Sequence, residues 1–154
     1  AVKAFPHTTM RQHATNPIKV VHLEWMPFKG MKTLFVKGLA QNEDRSYNTI
    51  VLFKKVKYLT EQTKDSVKLH ANDGLTYLFE KLALGQQDVL VRCNCPDFRW
   101  RFNNYNSVDK SLYGTKAKAY ESQGGPPANP MELPGMCKHL MKTMKVLQEA
   151  GLFA

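Results

Sequence analysis

From Ile18 onward the chain alternates apolar and polar positions with a period of two. In IKVVHLEW, residues 18–25, Val21, Leu23 and Trp25 fall on one face; MKTLFVKGL follows after a turn signalled by Pro27 to Gly30. NEDRS is a polar turn. YNTIVLFKKVKYL then puts Ile50, Leu52, Val56 and Tyr58 on one face and Val51 with Phe53 on the other. Three such segments, rich in β-branched and aromatic residues, predict an antiparallel sheet, with SVKLH at 66–70 as a short further strand. In NDGLTYLFEKLALG, residues 72–85, the period changes. Leu75, Leu78, Phe79 and Leu82 stand at i, i+3, i+4 and i+7 after Asn72 or Asp73 as cap and before Gly85 as stop, which predicts a short helix.

QDVLVRCNC returns to alternation, with Val89, Val91, Cys93 and Cys95 on one face and Leu90, Arg92 and Asn94 on the other. Residues 103–136 hold no sustained apolar period and carry GGPP at 124–127, Pro130, Pro134 and Gly135, the composition of an irregular loop. In CKHLMKTMKVLQEAG, by contrast, Leu140, Met144 and Leu147 form an apolar stripe opposite Lys138, Lys142 and Lys145, and Gly151 ends the helix. Residues 1–17 lack a hydrophobic period and read as an extended arm. The expected class is α+β: a small antiparallel sheet, a CxC strand or hairpin, and a C-terminal amphipathic helix. The expected organisation is an arm at 1–17, a β-rich core with one short helix at 18–92, and a second module at 93–150 that contains the 103–136 insert.

Composition narrows the function classes. The chain has 154 residues, 43% of them hydrophobic, enough for one core of ordinary size or a small core plus a module. No apolar run reaches the length of a membrane span, and the first 17 residues lack the apolar centre of a signal peptide, so the expectation is a soluble protein that is neither secreted nor membrane-bound. The formal net charge of +9 favours an acidic partner, nucleic acid among them. Yet residues 1–60 hold ten Lys and Arg against three Asp and Glu, whereas 61–154 hold twelve against ten, so the cysteine-bearing half is nearly balanced.

The three cysteines are an odd number and cannot form a complete disulfide framework. Metal binding, catalysis and plain burial remain. Two cysteines at i and i+2 on a strand share a face with Cα atoms roughly 6.5 Å apart, and their sulfurs can converge to the separation of roughly 3.7 Å that tetrahedral zinc needs. On a regular helix the same spacing turns side chains about 200° apart. Pro134 and Gly135 therefore place Cys137 before the last helix and His139 in its first turn, where the helix dipole favours a thiolate. A strained CxC disulfide and a nucleophilic Cys/His pair are the competing readings. His7, His13, His22 and His70 read as solvated or hydrogen-bonded side chains.

Written as CNC at 93–95 and CKH at 137–139, with CPDF before the loop and PGMCKHL after it, the pattern resembles the SWIM-type zinc finger. The resemblance covers about 93–150 and implies one zinc ion bound by Cys93, Cys95, Cys137 and His139. Four protein ligands would close the coordination sphere, making the site structural. The spacer of 41 residues between Cys95 and Cys137 is longer than is usual for SWIM fingers.

FRWRF, residues 98–102, suits either a strand with Phe98, Trp100 and Phe102 on one face, or a helix opened by Pro96 or Asp97 with Phe98, Phe102 and Tyr105 as a stripe; Pro and Asp favour the helix. The aromatics then pack round the zinc site, or Arg99, Trp100 and Arg101 form a contact surface that Lys138, Lys142 and Lys145 extend. SWIM fingers serve as DNA- or protein-interaction modules, and the whole chain loosely resembles small zinc-binding proteins of tailed bacteriophages. The expectation is a non-enzymatic, zinc-stabilised structural or interaction protein of a phage virion, contacting protein neighbours and no small-molecule substrate. A SWIM-type DNA-binding protein is the alternative.

Overall fold

The computed structural model describes residues 18–42, 45–83, 88–102, 106, 110–114 and 135–154, with backbone alone for Trp100 and Arg101. Strands β1 (Ile18–Phe28), β2 (Thr33–Asn42), β3 (Arg45–Phe53) and β6 (Val89–Cys93) form an antiparallel sheet in the order β1-β2-β3-β6. Strands β4 (Ser66–His70) and β5 (Thr76–Glu80) form a separate antiparallel hairpin inserted between β3 and β6. Two helices follow, α1 (Pro96–Arg101) and α2 (Lys138–Glu149). The fold is α+β, as the hydrophobic pattern predicts.

One face of the large sheet carries Leu34, Val36, Ala40, Thr49, Val51, Phe53 and Val91, all buried, and α2 lies across it with Leu140, Met144 and Leu147. Phe98 and Phe102 of the α1 segment join the same cluster, as do Phe79 and Leu82, so both halves of the chain share one core. The C-terminal segment closes the end of this core: Leu82 donates its N–H to Leu152 and accepts from Ala154, and the Phe53 and Phe153 rings meet edge to face at 5.8 Å.

Three strand expectations change. Val21 has no partner on β2, because the register shifts between Val20 and His22; this β-bulge leaves Val21 51% exposed, while Leu23 and Trp25 pack inward. The core face of β3 is Thr49, Val51 and Phe53, with Ile50 and Leu52 half-buried behind it. Val56 and Tyr58 do not continue that strand: Lys55 takes φ +55°, and Val56 then bonds to the Lys32 carbonyl and enters the core.

The helix expected at 72–85 does not form over the described residues 72–83; their centre is β5. Asn72-Asp73-Gly74 acts as hairpin turn chemistry rather than as a helix cap. Gly74 takes φ +82°, its N–H reaches the Ala71 carbonyl, and the Asp73 carboxylate accepts from the Leu75 N–H and the Tyr77 hydroxyl. Tyr77 and Phe79 then alternate with outward residues, and Leu75, assigned to the buried stripe, is 60% exposed. Of the proposed stripe only Phe79 and Leu82 are fully buried. The proposed stop at Gly85 lies outside the described residues, as do the 1–17 arm, Tyr105 and most of the 103–136 insert. Among the described residues no helix is long and apolar enough to cross a membrane.

Each edge of the large sheet receives a hydrogen bond from another segment. On the β6 side, Val91 donates to the Ser111 carbonyl and accepts from the Tyr113 N–H, and Tyr113 lays its ring on Phe35 at 5.4 Å. On the β1 side, Pro27 has no N–H. It pairs with Leu34 two residues from the Trp25 and Val36 pair, in which the Trp25 N–H turns away from β2. The outward N–H of Trp25 is taken by the Asn72 side chain at 2.7 Å.

Candidate metal centre

Three elements bring the chemistry together. Cys93 is the last residue of β6, held opposite Thr49 of β3. Asn94 then leaves the ladder and latches to the neighbouring strand at both ends, its side chain accepting from the Asn48 N–H at 2.9 Å and its own N–H reaching the Asn48 carbonyl at 3.3 Å. Cys95 follows as the N-cap of α1, with Pro96 at the first helical position, and its sulfur accepts from the Phe98 N–H at 3.3 Å. The CNC segment is thus a sharp turn between strand and helix.

Cys137 is likewise an N-cap, of α2, with His139 in the first turn of that helix as the spacing predicts. Asn106 fixes the approach. It is fully buried, donates from its side-chain amide to the Gly135 carbonyl at 2.8 Å and accepts from the Gly135 N–H at 2.7 Å, a two-point clamp of the kind one strand makes on another. One turn into α2, Thr143 back-bonds to the His139 carbonyl and meets the Thr49 hydroxyl at 2.8 Å, seating the helix on β3.

The ligand atoms of Cys93, Cys95, Cys137 and His139 all lie within 4.8 Å of one another, and all four residues are buried. That separation suits ligands on one tetrahedral ion. All three cysteines are free thiols. The imidazole decides the fit: His139 is 3% exposed, and neither Nδ1 nor Nε2 has a hydrogen-bond partner. A buried polar ring without a partner is costly, and a metal bond to one nitrogen removes half of that cost. The ring rests on Tyr47, with centroids 4.7 Å apart.

The thiols polarise one another. The Cys137 and Cys93 thiols donating toward Cys95 hold its pKa well below the usual thiol range, with nearby His139 acting in the same direction. Complete burial pushes Cys137 far up, and sharing with Cys93 and Cys95 adds to it. Cys93 is also raised: Cys137 pulls it down, but the contact with Cys95 and burial outweigh that. Without a cation, these three thiols cannot all ionise together in so small a volume; a divalent ion lets them.

The other residues singled out by sequence stand apart from this centre. Arg99 is exposed on α1, and Lys145 is exposed and Lys138 and Lys142 half-buried on α2. The Trp100 and Arg101 side chains lie outside the described residues. Phe98 and Phe102 pack against each other in the core at 6.2 Å, in agreement with the helical reading of FRWRF. Sequence reasoning missed Asn106, Thr143 and Tyr47. Thr143 carried a signal, one helical turn from His139, whereas Asn106 sits in a segment without period. Set against protein-family models, curated proteins and solved structures, the chain matches none of them.

Proposed function

We propose that Cys93, Cys95, Cys137 and His139 hold one zinc ion as a structural centre in the SWIM-like manner, and that the protein is a non-enzymatic interaction module whose second half depends on that ion. The observation that carries this is the buried, unpaired imidazole of His139 facing three free buried thiols. Three sulfurs and one nitrogen in a small closed site are the donor set that borderline-soft, redox-inactive zinc prefers. With four protein ligands no position is left for water or substrate, which favours a structural role over a catalytic one.

Metal analysis of the purified chain is expected to find about one zinc per chain, lost in Cys137→Ser. Full zinc retention in that variant, or iron or copper in place of zinc, overturns the assignment. As to context, the reading is a component of an assembly, with a tailed-phage particle as the setting. Its presence at fixed stoichiometry in purified particles supports this, and its absence there removes it. A SWIM-type DNA-binding role is the second reading, favoured by the net charge of +9 and the exposed Arg99 and Lys145. Duplex binding that falls steeply with salt and is lost in an Arg99→Ala/Arg101→Ala double variant would establish it instead.

A further inference from the structure

His139 lacks the support that a metal-ligating histidine ordinarily has. Such a ring generally gives its second N–H to a carboxylate or carbonyl, which fixes the angle at which the first nitrogen meets the ion. Among the described residues neither ring nitrogen of His139 has a hydrogen-bond partner, and both are buried. The backbone that carries the ring is well held: Thr143 donates to the His139 carbonyl at 3.1 Å and meets the Thr49 hydroxyl at 2.8 Å. Those contacts do not set the side-chain torsions. The aromatic neighbour of the imidazole is Tyr47, with ring centroids 4.7 Å apart and planes inclined at 47°.

Tyr47 stands two residues before Thr49 on the same side of β3, opposite Ala40 of β2. Two residues of strand span roughly 6.6 Å and four residues of helix roughly 6 Å, so Tyr47 and Thr49 meet His139 and Thr143 on successive turns of α2. The Tyr47 hydroxyl makes no hydrogen bond among the described residues. What this half-buried side chain offers the site is its ring.

We propose that Tyr47 is a positioning residue of the metal centre: its ring takes the place of the missing hydrogen bond and fixes the plane of the His139 imidazole, so that one nitrogen faces the three sulfurs. The inference rests on the metal reading above. Both residues line a cleft of about 430 Å³, so without the Tyr47 ring the imidazole has room to turn off the ion.

The test uses the full chain and its Tyr47→Phe, Tyr47→Leu and Tyr47→Ala variants. Zinc affinity is read by competition with a chelator, and the ligand field from the visible bands of the cobalt(II)-substituted protein. Tyr47→Phe is expected to match the parent in both. Tyr47→Leu and Tyr47→Ala are expected to bind zinc about tenfold more weakly and to shift and weaken the cobalt bands of a tetrahedral site with three sulfurs and one nitrogen. Leucine keeps apolar bulk against the sheet, so Tyr47→Leu decides the matter if the alanine variant does not fold. A lower thermal midpoint in Tyr47→Leu with unmoved bands and parental affinity would overturn the proposal, leaving Tyr47 a packing residue. Losses in Tyr47→Phe equal to those in Tyr47→Leu would overturn it too, by placing the role on the hydroxyl. A parent chain that takes up neither metal removes the metal centre itself, whereas one zinc per chain in the parent and equal affinity in Tyr47→Leu removes the role of Tyr47 alone.

Discussion

At Gly38, in the middle of β2, a methyl group has no room. An added Cβ would stand 2.8 Å from the Thr49 hydroxyl and 3.3 Å from both the Leu23 and Thr143 methyl groups. Glycine lets α2 come down onto the sheet at this point, and the Thr49 hydroxyl uses the space to reach the Gly38 carbonyl and Thr143. Gly38→Ala is expected to cost about 1–3 kcal/mol, read as a lower urea midpoint at unchanged slope. A second residue gives the alkaline limit. Burial raises the Tyr58 phenol to about 12 from a usual 10.0, with the Tyr77 hydroxyl nearby adding to the shift, and its hydroxyl donates to the Thr33 carbonyl. The folded chain keeps this proton after the unfolded chain has lost it. The stabilisation is therefore complete below about pH 10 and disappears as pH rises to about 12. An absorbance titration should show a late tyrosine in the native protein that is missing from Tyr58→Phe. Neither role was legible in the sequence, where Gly38 was one residue of an alternating strand and Tyr58 was assigned to a face of β3, which ends at Phe53.

The elements separate what local pattern can decide from what tertiary contact decides. Helix α2 was legible because its stripe, its lysine face and its glycine stop agree. The segment at 72–85 carried an equally regular helical spacing, but the same stretch also holds Tyr77 and Phe79 two apart, as a short strand with one inward face requires. The Asp73-Gly74 turn and pairing with β4 decided for the strand. The Val21 bulge was invisible for a related reason: a bulge is a property of two strands, and one strand's sequence does not contain the register of its partner. The β1 edge is a designed feature in the same sense. The bulge, Pro27 and the Asn72 side chain on the Trp25 N–H leave little of an 11-residue strand available for pairing with another chain. A Pro27→Val/Asn72→Ala variant restores one N–H and frees another, and is expected to self-associate with concentration in sedimentation experiments where the parent chain does not. An unchanged sedimentation coefficient would show that other features guard this edge.

Across the whole molecule, the cysteine and histidine cluster joins three places: the end of β6, the start of α1 and the start of α2. The four residues that meet there could be picked out beforehand because cysteine and histidine pairs at i and i+2 are rare chemistry with few uses. Their supports could not, since Asn94, Asn106 and Thr143 are ordinary polar residues that gain meaning only from what they meet. Structural zinc supplies about 10–16 kcal/mol in small finger peptides, a sum comparable with the whole stability of an ordinary domain, about 5–15 kcal/mol. Chelation is accordingly expected to abolish amide-exchange protection in α2 and lower the thermal midpoint, with recovery on adding zinc. Protection that survives chelation would mean that apolar packing alone docks the helix. The 41 residues between Cys95 and Cys137 also set a timetable. On a ribosome adding about 5–20 residues per second, Cys93 and Cys95 leave the tunnel about 2–9 seconds before their partners. For that interval the nascent chain presents two cysteines one residue apart without Cys137 and His139, so any protection the complete cluster gives them begins only once the last helix has been made.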